Sequence, residues 1–273
     1  DLKMIIDLFI IIITLSRHDN NFSFWELADI CIVGVRNYID KNLREAETNQ
    51  ISQLFEYLKF NAFLKQEVEQ SFVLGWLDIF KMFISCEYFE KQLFGFKGIN
   101  TLLAEDLTKH FVIDWLRLPE NLDLFSGKIM HNEFNVFYTN VLSTLAEYDI
   151  LDSNFLNHLW NLHKVQHDSE QLSFFMIFNS ISRKINANLL VDFVKMCIKP
   201  STYNENWINF ISQFGYSIGN RNDSEEAFEL LKDKLFDLSL TENPIQVKAQ
   251  KTLSGLLRSE ERRVGKECRS RWS

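Results

Sequence analysis

Four cysteines and a run of closely spaced histidines carry whatever reactive chemistry this 273-residue chain could have. His163 and His167 stand four apart, and His158 lies one and a half turns before His163. On one continuous helix a four-spaced imidazole pair can hold zinc, with Asp168 and Glu170 as nearby carboxylates. That arrangement would make an all-helical metalloenzyme. The segment Lys164-Val165-Gln166-His167-Asp168, however, reads as a link between two helices, and no further ligand cluster follows it. His110 and His131 are solitary and stand next to helix starts.

A cysteine hydrolase needs a thiol with a histidine partner and a glycine- or asparagine-rich approach to its helix. Cys31 sits in the apolar run Ala28-Asp29-Ile30-Cys31-Ile32-Val33, Cys86 precedes Glu87, and Cys197 adjoins Ile198. These settings suit core packing rather than a thiolate. Cys268 lies far from the other three, and no two cysteines form a pair motif, so reduced thiols in an intracellular, cytoplasmic protein are expected. No phosphate-binding glycine loop, Gly-x-Ser-x-Gly or His-Glu-x-x-His occurs. The sequence therefore assigns no catalytic residue, no cofactor-binding residue and no metal ligand, and no cofactor is expected.

The elements around these residues follow one plan. Leu151-Asp152-Ser153-Asn154-Phe155-Leu156-Asn157-His158-Leu159-Trp160 is echoed 34 residues later by Ile185-Asn186-Ala187-Asn188-Leu189-Leu190-Val191-Asp192-Phe193-Val194. In each copy an apolar residue precedes an N-cap type residue, Asp152 or Asn186, and then a helix start. A period of 20 to 50 residues marks a repeat array. Elsewhere apolar residues recur at three- and four-residue steps, and no segment alternates with period two. Only 9 glycines and 3 prolines punctuate the chain, too few for a turn-rich β-fold. The 25 phenylalanines supply the bulk that stacked helices need. The expected fold is all-α, an armadillo- or HEAT-like α-solenoid of stacked helix pairs over residues 1–257, clearest over 90–200.

Several local expectations attach to that plan. Ser23 should cap a helix, with Glu26 completing a capping box. Phe63 to Ile84 should form one long helix apolar on more than one side. Gly95 and Gly98 should admit a close neighbour, and Thr108 should cap a helix limited by Pro119. A short turn over Leu122 to Phe125 should end at Gly127, and Pro200 should stop the second copy of the echo. Pro244 should open the last helix, ending near Leu257. The acidic run Asp223-Ser224-Glu225-Glu226 suits a helix start.

The ends bear on partners. The chain opens on Asp1 rather than Met, so it is expected to be an excerpt of something longer. Met4 to Leu15 is very apolar, but its twelve residues fall short of the ~20 that cross a membrane, so a buried helix is expected there and no membrane partner. Residues 258–273 carry six basic and three acidic side chains, +3, which leaves −11 on the preceding 257 against −8 for the whole chain. The shift is abrupt, and the string resembles adapter-derived read-through; it is expected to be non-native and disordered. The acidic balance argues against nucleic acid as the main partner.

Four stretches carry a family resemblance. They are Glu90 to Asn100, Leu107 to Leu116, Ala146 to Asp152, and above all Phe155-Leu156-Asn157-His158-Leu159-Trp160 with Lys164 and Gln166-His167-Asp168. Together they resemble the armadillo-type repeat region of the very large ubiquitin-specific proteases of the fat-facets type, a region outside the catalytic domain. The resemblance spans roughly residues 51–257. Phe replaces aliphatic residues freely, and the link after Trp160 departs from the pattern. It implies a non-catalytic scaffold that holds substrates or adaptor proteins near a deubiquitinating domain. The cysteine and histidine boxes of that domain have no match here, so no catalytic residue carries over. The alternative is a stand-alone helical-repeat adaptor or transport receptor.

Overall fold

The computed structural model describes residues 2–16, 23–125, 132–163, 168–199 and 203–270. Among these residues every regular element is helical, with no strand. The fold is therefore all-α, as the spacing of apolar residues predicts. The chain divides into two compact units, Asp1–Phe125 and Ser126–Ser273.

The first unit holds α1 (Leu2–Ser16), α2 (Phe24–Asn42), α3 (Thr48–Leu64), α4 (Gln70–Ser85), α5 (Phe89–Ala104), α6 (Asp106–Leu116) and the single turn α7 (Pro119–Leu122). A 3-10 turn, Asp123–Phe125, closes it. Helix α4 is central and packs on α2, α5 and α6. Its buried face, Phe72, Val73, Trp76, Leu77, Phe80 and Phe83, meets Phe55 of α3 and Phe94 of α5. Edge-on ring contacts at 4.8 to 5.6 Å join Phe55 to Trp76, Phe55 to Phe80 and Phe80 to Phe94, the geometry that aromatic quadrupoles favour. Gly95 and Gly98 let α5 approach α4. A Cβ at Gly95 would lie 2.7 Å from the Phe80 carbonyl oxygen, and one at Gly98 would enter the Phe80 ring.

Three local expectations change in this unit. Phe63 to Ile84 is two helices, because the chain turns at Gln66 in the left-handed region, φ 58°. Ser23 does precede α2, but its side chain makes no capping hydrogen bond. Thr108 is not a cap either: α6 begins after Glu105, and the buried Thr108 hydroxyl donates back to the Leu102 carbonyl. Helix α1 packs on α2 and α3 through its buried Ile6 and Ile13, and Met4, Leu8 and Ile11 on its other side are exposed. It is therefore half-buried, packed on one side and apolar and exposed on the other. No helix among the described residues is long and apolar enough to cross a membrane.

The second unit holds α8 (Asn135–Glu147), α9 (Ser153–His163), α10 (Asp168–Ile181), α11 (Ala187–Cys197), α12 (Glu205–Gly219), α13 (Glu225–Leu240) and α14 (Gln246–Ser270). Each helix packs on the next but one: α8 on α10, α10 on α12 and α12 on α14, with α9 on α11 and α11 on α13. Trp160 of α9 is buried and meets the rings of Phe178, Phe193 and Phe210 from three other helices, at 5.4, 6.1 and 5.9 Å. One aromatic residue thus joins four helices of this unit.

The 34-residue echo marks real helix starts. Asp152 Oδ1 accepts from the Phe155 amide at 2.7 Å, and Asn186 Oδ1 from the Leu189 amide at 3.0 Å. Each cap satisfies a backbone donor that the first turn leaves open. Asn204 repeats the device on α12, accepting from the Trp207 amide at 2.8 Å. Asn186 also donates to Asp149, which ends α8 with φ 53°.

Helix α14 corrects the expected end of order at Leu257, since it continues to Ser270. Charges of both signs and good helix formers fill residues 258–263, and Lys232 of α13 reaches Glu260 at 3.0 Å. Gly127 and Pro200, expected to end a turn and a helix, lie outside the described residues.

Candidate functional site

Among the described residues, those with reactive side chains do not converge. His158 is exposed on α9, and His110 is exposed on α6, its ring 3.8 Å from that of Phe111. His131, residues 164–167 and the side chains of His163, Asp168, Glu170 and Cys268 lie outside the described residues. Cys31, Cys86 and Cys197 are buried in separate places on α2, after α4 and on α11. Burial pushes the Cys31 thiol up to about 12 and the Cys197 thiol well above its usual range. A thiol so placed stays protonated at neutral pH and is a poor nucleophile.

A groove of about 840 Å³ runs instead between α10 and α12 in the second unit. The wall from α10 presents Met176, Asn179 and Arg183; the wall from α12 presents Gln213, Tyr216 and Ser217. Two polar rungs cross its floor at the period of the sequence echo. Asn179 Nδ2 donates to Gln213 Oε1 at 3.3 Å, and Arg183 Nε and Nη2 each lie 3.4 Å from Ser217 Oγ. Both pairs are 34 residues apart.

The charges at this groove are unequally matched. Arg221 closes one end. It donates to the Ser182 carbonyl at 2.6 Å and forms a two-pronged pair with Asp223 at 2.8 and 2.6 Å. The Arg221 guanidinium holds the Asp223 carboxyl below its ordinary range. Lys184 pairs with Glu147 at 3.3 Å. Arg183 is exposed, and among the described residues no carboxylate lies within ion-pair distance of it. Its two hydroxyl contacts are long for hydrogen bonds and use little of a five-donor guanidinium.

Beneath these residues Asn179 is only 8% exposed, and its Oδ1 has no hydrogen-bond partner. A buried acceptor left this way costs about 1–3 kcal/mol. Above it Met176 and Tyr216 are 65% and 41% exposed. The groove thus joins an unmatched cation, an unmet amide acceptor and exposed apolar surface, a set suited to binding.

None of these residues stands out in the sequence, because polar positions on an amphipathic helix resemble a solvated face. The available signal was the echo itself: stepping 34 residues from Asn179 and Arg183 reaches Gln213 and Ser217. No protein-family model matches this chain, and no curated protein matches it.

Proposed function

We propose that this chain is a non-catalytic helical-repeat scaffold, an armadillo- or HEAT-like α-solenoid region of a large intracellular deubiquitinating enzyme. The observation that carries the reading is the packing of each helix of the second unit on the next but one, with capped starts repeated at Asp152 and Asn186. Helices stacked on such neighbours build an extended surface. The stretches from Glu90 to Val194 that resemble the fat-facets-type repeat region supply the link to ubiquitin chemistry. The buried cysteines support a role in recognition rather than in bond cleavage.

In this reading the scaffold holds substrates or adaptor proteins near a protease domain elsewhere in the same polypeptide. Tethering raises the effective concentration of substrate at that domain without new catalytic contacts. Nucleic acid and membrane are not its partners.

Two measurements test the proposal. Purified protein is expected to release no fluorophore from a ubiquitin C-terminal reporter; release that disappears in Cys31→Ala, Cys86→Ala or Cys197→Ala would overturn it. The open reading frame of an intact transcript is expected to encode a ubiquitin-specific cysteine protease domain. A frame that closes without one points to the stand-alone adaptor.

A further inference from the structure

The groove between α10 and α12 carries enough geometry to say what it holds. Its chemistry rests on the scaffold reading above, and its test does not. Met176, Asn179, Ser180 and Arg183 follow one another at i, i+3, i+4 and i+7 along α10. They form one line ~10 Å long at 1.5 Å per residue. A peptide in the polyproline II conformation covers about 9 Å in three residues and returns its side chains to the same face.

We propose that this groove binds an extended peptide segment of a partner protein, taking a carboxylate side chain on Arg183 and an apolar side chain three positions away on Met176. Charge selects the ligand. Lys184 and Arg221 already have Glu147 and Asp223, so Arg183 is the cation that a ligand can claim. The chain as a whole is acidic, at −8, so this local positive charge runs against the global field and repels fewer acidic partners than the surface around it. A planar guanidinium with free donors pairs a carboxylate with two parallel hydrogen bonds. Asn179 supplies the second contact. Its unmet Oδ1 and its weakly engaged Nδ2 match the N–H and C=O of one peptide group, once the exposed Gln213 side chain releases Nδ2 and turns away. Met176, exposed at the other end of the line from Arg183, supplies a flexible thioether surface that accepts varied apolar side chains.

The probe is a fluorescein-labelled peptide with leucine and glutamate three positions apart on a proline–alanine background, made in both orders. A counterpart carries glutamine in place of glutamate. Fluorescence anisotropy on the full chain is expected to show one order of the glutamate peptide binding about tenfold tighter than its glutamine counterpart. Arg183→Gln, a surface change, should erase that preference, and Lys184→Gln should preserve it. Asn179→Ala should weaken the glutamate peptide by about tenfold as well. The proposal is overturned if glutamate and glutamine peptides bind alike, if neither binds, if the preference survives Arg183→Gln, or if a labelled polyuridine strand binds tighter than either peptide. The scaffold reading can outlive any of these results, because it falls on the reporter assay and the reading frame alone.

Discussion

The two units solve the same problem, holding helices side by side, by different chemistry. In the first, none of α2 to α7 has a side-chain N-cap. Register there comes chiefly from shape: Gly95 and Gly98 seat α5 against Phe80, and a cluster of rings fills the space around α4, with a few side-chain links such as Arg36 to Asp78 and Lys81 to Asn121 beside them. In the second unit polar groups set the register. Asp152, Asn186 and Asn204 cap three helix starts, and side-chain rungs such as Ser143 to Ser180 at 2.7 Å and Asn179 to Gln213 link successive helices. Apolar packing tolerates many sequences, whereas a cap or a rung demands particular residue types at fixed steps. That difference explains why a sequence echo is visible in the second unit and not in the first.

The comparison breaks most readily at the glycines. Gly95→Ala and Gly98→Ala should each gain ~1 kcal/mol of helix propensity but lose more to overpacking, a net loss of about 1–2 kcal/mol. Phe80 is fully buried and flanked by Phe55, Trp76 and Phe94, so its ring has nowhere to move. Urea unfolding of the two variants measures this. A gain in stability from either would mean that α5 does not approach α4 so closely.

The caps give a sharper contrast at smaller cost. Asp152→Ala and Asn186→Ala should each destabilise by about 1 kcal/mol. Ser23→Ala in the first unit should fall within about 0.5 kcal/mol of no effect, since Ser23 makes no capping bond. If Ser23→Ala costs as much as Asn186→Ala, the division of labour between the units is wrong.

These contrasts also explain what was legible in the sequence. The helices, the two caps and the close approach at Gly95 and Gly98 were readable because each depends on residue type at a local spacing. The break at Gln66 was not, because Lys65-Gln66-Glu67-Val68-Glu69 contains no glycine or proline to announce it. Thr108 misled because a threonine before an apolar run looks the same whether its hydroxyl faces forward to an amide or backward to the Leu102 carbonyl. The helix past Leu257 is not legible, because a change in charge without an apolar stripe does not by itself end a helix. The groove was hidden for a different reason. Arg183 and Asn179 acquire their roles only from α12, so only the repeat period connects them to Gln213 and Ser217.

The smallest expected effect concerns the ion pair that closes the groove. Asp223 has its folded pKa lowered, chiefly by the hydrogen bond from Arg221. A carboxylate lowered in this way contributes stability that is fully present above its unfolded pKa and is lost as pH falls through the folded value. The unfolded value for Asp is about 3.9, so the contribution should be constant from neutral pH down to that point and disappear below it. Asp223 is half exposed, and the effect should be modest and screened by salt. Thermal melts of the parent and Asp223→Asn at pH 7, 5, 3 and 2 test the sign. The variant should melt slightly lower at pH 7 and pH 5, and the gap should close between pH 4 and pH 2. A gap that stays constant to pH 2 would mean that the charge on Asp223 does not carry its contribution, and no gap at any pH would mean that Arg221 is held by the Ser182 carbonyl alone.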